Sequence, residues 1–410
     1  MNRPQTTMAP IACRTAGSAG SRFAGAPLET TVVPAAGISN ELYAEWQTLA
    51  EASPNCSWSM LPGVFRNWLE TLGPPARTSV LAARDGQGQL CGLVAIVQER
   101  VWRGPSCVPR FDYAAADRSS TSSKRPRLIP LRQITTPASI PATTLWVGPL
   151  CLPGFETAVY DSVAACLARR RGWDVLVFAA YEAEQPLWLE SLRRAGLSPL
   201  VHRLDRLVRN NPALRPFEQI VAGESRNFRR NIRRARQAAE EVGLNVRLHV
   251  GTAAMDGILL TLAQVAGHSW KREGRSGQEV SIPYEGKQQV FFERLLVSSG
   301  LGATPVVAVA DSPEGPVAIA VTLRHFRKIT GILIFMDGRS APASPGILMV
   351  GAIIDWAAAN GVERFEFNAT HDWVRHLAGE ERTLCNIVAF ATSPAGRLAS
   401  FISRTTGRLK

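Results

Sequence analysis

The chain has 410 residues, 46% of them hydrophobic and 20% charged, with 46 Lys and Arg against 34 Asp and Glu for a formal charge of +12. No apolar run reaches the roughly 18 to 20 residues of a membrane span, and the length exceeds one compact core, so a soluble protein with two cores is expected. The positive balance selects anionic partners, whether nucleic acid, acidic headgroups or a phosphorylated cofactor, without choosing among them.

Seven cysteines, Cys13, Cys56, Cys91, Cys107, Cys151, Cys166 and Cys385, are odd in number and form no C-x-x-C pair. That pattern predicts reduced, buried thiols in a cytoplasmic compartment. The six histidines show no zinc-like spacing, so no metal is expected.

In chain order, residues 1 to 27 are rich in Ala, Ser, Gly, Arg and Thr with no acidic residue, and read as a disordered tail. Val80 to Asp85, a Gly-rich turn and Gly92 to Ile96 read as a β-hairpin. Residues 103 to 144, rich in Arg, Ser, Thr and Pro, read as an insert. Leu152-Pro-Gly-Phe155 then opens a helix stopped by Gly172, and Asp174 to Phe178 is a strand.

Arg226, Arg229, Arg230, Arg233, Arg234 and Arg236 come next. At about 100° per residue from Phe228, the side chains of Ile232, Ala235, Ala239 and Val242 fall within about 40° of one line, and the arginines occupy roughly 80° to 240°. This is an amphipathic helix stopped by Gly243. A nucleic-acid arm would not need the apolar stripe, and a membrane anchor would carry larger residues on it. The expectation is a connecting helix docked between two halves, its arginines facing solvent or an anion-binding cleft.

The second half reads as strand 245–251, helices 254–268 and 285–299, strands 304–311, 316–325 and 328–337, helix 347–360, strand 362–368, helix 371–378 and strand 382–392. Its hairpin Val306 to Val321, its Ser344-Pro-Gly-Ile347 turn and its strand Glu363 to Phe367 echo the first half. The offset falls from 226 (Asp85 to Asp311) to 192 (Gly154 to Gly346), which leaves 34 extra residues in the first copy and assigns them to 103–144.

Gly346 at a strand-to-helix turn lets backbone approach a ligand, and the N–H groups of Ile347, Leu348 and Met349 are expected to form an anion site with Ser344. Asp337 ends the strand before that turn and is a candidate to take or hold a proton. Glu366 alternates with Phe365 and Phe367 on the next strand. His268 and Trp270 end the first helix of the second half, as base and pocket wall, with Tyr284 as a further acceptor-site candidate.

Taken together, the basic helix Phe228-Arg-Arg-Asn-Ile-Arg-Arg-Ala-Arg with Glu241-Val-Gly243, then His268-Ser-Trp-Lys271, Ser344-Pro-Gly346, Glu363-Arg-Phe-Glu-Phe-Asn368 and Arg375, resemble the CelD-like acetyltransferases of the GNAT superfamily. These are similar to the tandem-GNAT FemAB transferases, and the resemblance spans about residues 30 to 395. One glycine stands where most GNAT proteins have Gly-x-Gly or Gly-x-Ala. Glu366 matches a family Asp, and Arg375 matches a position that is usually Lys, to pair with phosphate or carboxylate.

The resemblance implies an α/β fold, a mixed sheet with flanking helices, as two GNAT-like domains in tandem. The expected layout is a tail to 27, an N-terminal domain 28–210, the connecting helix 211–243, a C-terminal acyltransferase domain 244–395 and a basic tail 396–410. The implied activity is N-acyl transfer from acyl-CoA, acetyl-CoA or an acyl carrier protein to an amine of a small molecule, sugar or lipid, by direct attack in a ternary complex. Long-chain acylation of a sphingoid-type amine, FemAB-like transfer from aminoacyl-tRNA and a non-catalytic binding protein stay open. Nucleic acid is a partner only in the tRNA case, and the expected location is cytoplasmic, with a peripheral membrane contact at the inner face.

Overall fold

A computed structural model describes residues 27–103, 129–137, 146–269, 286–367 and 372–405. The first half runs β1 (Glu29–Pro34), α1 (Asn40–Ala52), α2 (Pro62–Thr71), β2 (Thr78–Arg84), β3 (Leu90–Arg103), β4 (Ile129–Thr135), β5 (Leu150–Cys151), α3 (Glu156–Arg169), β6 (Val175–Tyr181), α4 (Gln185–Arg194) and β7 (Ser198–Asn211). Two helices follow, α5 (Phe217–Gly223) and α6 (Arg226–Glu241). The second half is β8 (Asn245–Val250), α7 (Ile258–Gly267), α8 (Gly286–Val297), β9 (Thr304–Ser312), β10 (Gly315–His325), β11 (Lys328–Met336), α9 (Pro345–Ala359), β12 (Arg364–Glu366), α10 (Asp372–Arg375), β13 (Glu380–Phe390) and α11 (Pro394–Thr405).

The strands form one mixed sheet in the order β1-β2-β3-β4-β6-β13-β7-β12-β11-β10-β9-β8, with β5 on β3. The α/β class and the tandem pattern expected from the sequence are both present. The halves are interlocked, however. β13, the last strand of the second half, lies between β6 and β7, pairing Leu384 to Phe390 with Val175 to Tyr181. β7, the last strand of the first half, reaches across to β12 and pairs Asn210 with Glu366 and Asn211 with Phe365.

Alternation along the second-half strands sorts their side chains to two faces. Val307, Val309, Ile319 and Val321 join a core that also holds Trp46, Phe65, Trp146 and Trp188 of the first half, with Phe291 and Phe292 of α8. Val306, Ala308, Ala310, Ala318 and Ala320 face the other way, under α5, α6 and α9. The expectation of two separate cores is therefore corrected, because the larger core is continuous through both halves.

Local chemistry holds the ends. Ser225 caps α6 by accepting from the Phe228 N–H at 3.2 Å, and Gly243 follows that helix at φ 63°, where a β-carbon would be strained. On α6 the side chains of Phe228, Ile232, Ala235 and Ala239 are buried as the periodicity predicts, whereas Val242, at the C-cap, is 51% exposed.

Two segments differ from the sequence reading. β3 runs on to Arg103 and pairs with β4, so the expected insert 103–144 contains a sheet strand; residues 104–128 and 138–145 lie outside the described residues. The expected tail 396–410 is helical to Thr405, and α11 packs Ala399 and Ile402 on Leu131, Val175, Val388 and Phe390. The tail expected at 1–27 lies almost wholly outside the described residues. Among the described residues no helix is long and apolar enough to cross a membrane.

A close contact joins the halves at Gly63 on α2. A β-carbon there would lie 2.6 Å from the Leu301 α-carbon and 2.8 Å from the Gly300 carbonyl oxygen, both backbone. Gly63→Ala is expected to cost about 1 to 3 kcal/mol of stability by overpacking. Denaturant titration checks this, and an unchanged midpoint would mean the contact is loose.

Candidate functional site

β11 and β12 start side by side, parallel, with Lys328 against Arg364, Ile329 against Phe365 and Thr330 against Glu366. Their ladder ends there, although β11 continues to Met336. Close approach continues at Gly331, where a β-carbon would stand 3.1 Å from the Phe367 carbonyl oxygen, an approach a larger residue would crowd; residues 368–371 lie outside the described residues. On its other edge β11 slips in register against β10. Val321 faces Leu333 and Thr322 faces Gly331, leaving Ile332 as the extra residue of a bulge. In the second half, then, the pairing of two parallel strands stops after Thr330/Glu366 among the described residues, with a bulge on the other edge of β11; this place is termed the wedge.

The first half has the same parts with the wedge shut. β4 and β6 pair from Gln133/Val175 to Thr135/Val177, and the chain returns at Val147 to bridge Ala179, whose carbonyl accepts from the Gly148 N–H at 3.1 Å. The helix starts differ as well. At α3 the Glu156 carboxylate accepts from the Gly154 N–H at 2.9 Å, so the protein's own anion fills that turn. At α9 the first turn has no acidic residue, and Ser344, in the left-handed region at φ 47°, makes no capping bond.

Around α9, Ser344 is exposed, Gly346 is buried, and Gly346 packs so that a β-carbon would meet Ile334 Cδ1 and Met336 Sδ at 3.3 Å each. The Ile347 N–H makes a tight-turn bond to the Ser344 carbonyl at 3.2 Å. With Ser344 as the N-cap and Pro345 lacking an N–H, the first-turn N–H left outside that bonding is that of Gly346; Leu348 and Met349 are one turn in. The Met349 side chain is fully buried in the core under α9.

The expected catalytic residues fall into two places. Asp337 follows β11; its backbone bridges Ser269 and its N–H donates to the Val317 carbonyl at 2.8 Å. Arg339 grips its carboxylate through Nη2 at 2.6 Å, Nε at 3.0 Å and the backbone N–H at 2.9 Å. Those bonds, with a smaller pull from His268, hold Asp337 below the usual carboxylate range. His268, exposed at the end of α7, is thus Asp337's neighbour. Glu366 stands at the other end of β11, roughly 20 Å away at about 3.3 Å per residue from Thr330 to Asp337.

Glu366 is largely buried. Its Oε2 accepts from Thr330 Oγ1 at 3.0 Å, and its Oε1 lies 3.6 Å from Arg364 Nε. Arg375 is exposed and 3.8 Å from Glu381. Trp270 and Tyr284 lie outside the described residues.

Sequence reasoning missed a group beside Glu366. Lys328, half-buried, is the first residue of β11, and its Nζ donates to the carbonyls of Pro54 and Cys56 in the first half at 2.6 and 2.9 Å. Burial lowers its pKa, and the Glu366 carboxylate opposes that. Cys56 has its thiol pushed up to about 12 by burial. His325 is 1% exposed, and burial depresses its pKa to about 4 against the pull of Glu366. Only the run of basic residues at 324 to 328 hinted at the group; its partners are some 270 positions earlier in the chain.

The buried His325 has a consequence for acid stability. The unfolded chain binds a proton at this side chain below about 6.5, but the folded chain does so only near 4. Stability is therefore full above pH 6.5 and lost as pH falls towards 4, by about 3 kcal/mol in total. Melting temperatures at pH 7.5, 6.0 and 5.0 should fall less steeply for His325→Gln than for the parent; parallel curves would refute the assignment.

Comparison with known proteins adds a family to this geometry. Residues 226–381 match the family profile described as an acetyltransferase (GNAT) domain. Among solved structures, FemX aligns with a TM-score of 0.56 at 12% identity, over 90% of this chain and 99% of that one. A conserved protein of unknown function from Bacteroides thetaiotaomicron aligns with a TM-score of 0.50 at 10% identity, over 90% and 100%. A tandem GNAT protein from the clavulanic acid biosynthesis pathway gives 0.48 at 12% identity, over 89% and 99%. No curated protein sequence matches the chain.

Proposed function

We propose that the chain, whose residues 226–381 match an acetyltransferase (GNAT) domain profile, is a tandem GNAT-fold transferase that moves an acyl group from a phosphopantetheine thioester, acyl-CoA in the simplest case, to an amine. The observation that carries this reading is the asymmetry of the two halves. The first wedge is closed at Val147/Ala179 and its helix turn is filled by Glu156, whereas in the second the pairing stops at Thr330/Glu366 among the described residues and the helix turn holds no acidic residue. Donor binding is assigned to the second half.

The pantetheine arm lies along β11 past the Ile332 bulge, and its diphosphate meets the Gly346 N–H at the start of α9. Arg339, 79% exposed and anchored by Asp337, stands at that phosphate end. Asp337 is then a holder of charge near the donor. Its lowered pKa makes it a weak base, which favours Glu366 for proton transfer.

Glu366 lies beside Thr330, about two strand residues, or roughly 7 Å, from the bulge. The amine nitrogen attacks the thioester carbonyl carbon and the ammonium proton passes to Glu366. The C–N bond forms, the C–S bond breaks, and the departing thiolate takes a proton from solvent. Because β7 of the first half pairs directly with Glu366, the first half is structural support for this site.

Mass spectrometry of an amine pool incubated with the protein and acetyl-CoA or palmitoyl-CoA tests the reading. A gain of one acyl unit on an amine supports it. No acylated product, together with tight binding of charged tRNA at low salt, would replace it with aminoacyl transfer.

A further inference from the structure

α6 presents a stripe of five arginines that nothing in the acyl-transfer reading uses. Arg226, Arg229, Arg230, Arg233 and Arg234 are all exposed, and none forms an ion pair with a carboxylate among the described residues. Their only side-chain bonds in that set are weak or neutral, from Arg229 to the Ala222 carbonyl at 3.1 Å and from Arg230 to Asn227 at 3.3 Å. Arg236 is different: it is half-buried, pairs with Glu218 and lies over the Phe217 ring. The five spread over about 140° of the helix circumference and about 12 Å of its length, one broad basic face.

The placement of the stripe selects its partner. α6 lays its opposite, apolar face on α9 and on the turn Gly338–Ala343 that leads into α9. The helix is held there from the side by His376, which stacks on Phe228 at 4.3 Å and bonds Glu224 at 2.7 Å. The arginines consequently point away from the wedge, beside its phosphate end. A small donor seated at Gly346 would leave them in water. A macromolecule that covers the outer face of α6 could feed a tethered thioester into the wedge.

We propose that α6 is the docking surface for an acidic acyl carrier protein, whose carboxylates pair with Arg226, Arg229, Arg230, Arg233 and Arg234 while its phosphopantetheine arm enters beside Gly346. The inference rests on the thioester reading above and names the carrier. Charge complementarity supports it, since five like charges on a rigid helix cost self-repulsion unless an anionic surface meets them. No large apolar side chain is exposed between Arg226 and Glu241 to anchor the face in lipid, and no aromatic side chain is exposed there to stack a nucleobase.

The test measures Kd for palmitoyl-acyl carrier protein and for palmitoyl-CoA, at low and moderate salt, with the parent and with Arg230→Glu/Arg233→Glu/Arg234→Glu. Circular dichroism and melting curves confirm that the variant is folded. The expected result is carrier affinity weakened by about tenfold or more by charge reversal and by salt, with palmitoyl-CoA affinity within about twofold of the parent. Equal weakening of both ligands would place the stripe on CoA's own phosphates and overturn the proposal. Loss of binding to phosphatidylglycerol vesicles or to uncharged tRNA, with carrier affinity unchanged, would overturn it in favour of a membrane or an RNA. If palmitoyl-CoA binds and the carrier does not, docking alone fails; if neither thioester binds, the thioester reading fails first.

Discussion

Glu366→Gln is expected to lower kcat for acyl transfer by about 10²- to 10⁴-fold, the usual worth of a positioned general base, and to leave the donor KM within about twofold. The amide keeps the Thr330 hydrogen bond as an acceptor, so the wedge keeps its shape while the proton loses its destination. Asp337→Asn is expected to act on the opposite terms. It releases Arg339, which Asp337 holds through three bonds, so donor KM rises several-fold and kcat changes little. Steady-state kinetics on both variants separates the roles. Near-normal kcat in Glu366→Gln with loss of kcat in Asp337→Asn would reverse the assignment.

The second large effect concerns the interlocked sheet. Residues 28–223 expressed alone are expected not to fold, because β13 supplies the strand between β6 and β7. Its removal exposes the facing edges of two long strands and takes Cys385, Ile387 and Ala389 out of the main core. Residues 224–405 alone lose β7 beside β12 and the whole first-half side of the same core. Circular dichroism and size exclusion of each half, and of the two co-expressed, read this out. A cooperative melt of the isolated first half near the temperature of the full chain would show that the exchange is not needed for stability.

That exchange was not legible in the sequence. The element order of the second half was, because each helix and strand there has a clear period and a Gly or Pro boundary; α9 after Ser344 and β9 at Thr304–Ser312 are examples. Strand order is a matter of contacts far apart in the chain, and β7 and β13 carry the same apolar alternation whichever neighbour they take. The first half was harder for a related reason. Its fourth strand, Ile129–Thr135, is followed by the bridge at Val147, and the Arg- and Pro-rich surroundings disguised Ile129–Thr135 as part of an insert.

The site divides in the same way. Ser344-Pro-Gly346 announces a tight turn into a helix from local chemistry alone, and Glu366 stands out between two phenylalanines. The separation of Glu366 from Asp337 along β11, the grip of Arg339, and the first-half carbonyls around Lys328 depend on pairing and packing that no local pattern encodes. The arginines of α6 were visible at once; which way they face followed only from where Phe228 and Ile232 are buried.

Hydrogen–deuterium exchange with and without CoA tests the central claim most directly, since it needs no knowledge of the acceptor. The account predicts added protection in peptides covering Ile332–Leu333 and Gly346–Ile347, and none over Gly148 to Glu156. Protection at the first-half turn, or none in the second-half wedge under conditions where CoA binds, would contradict it.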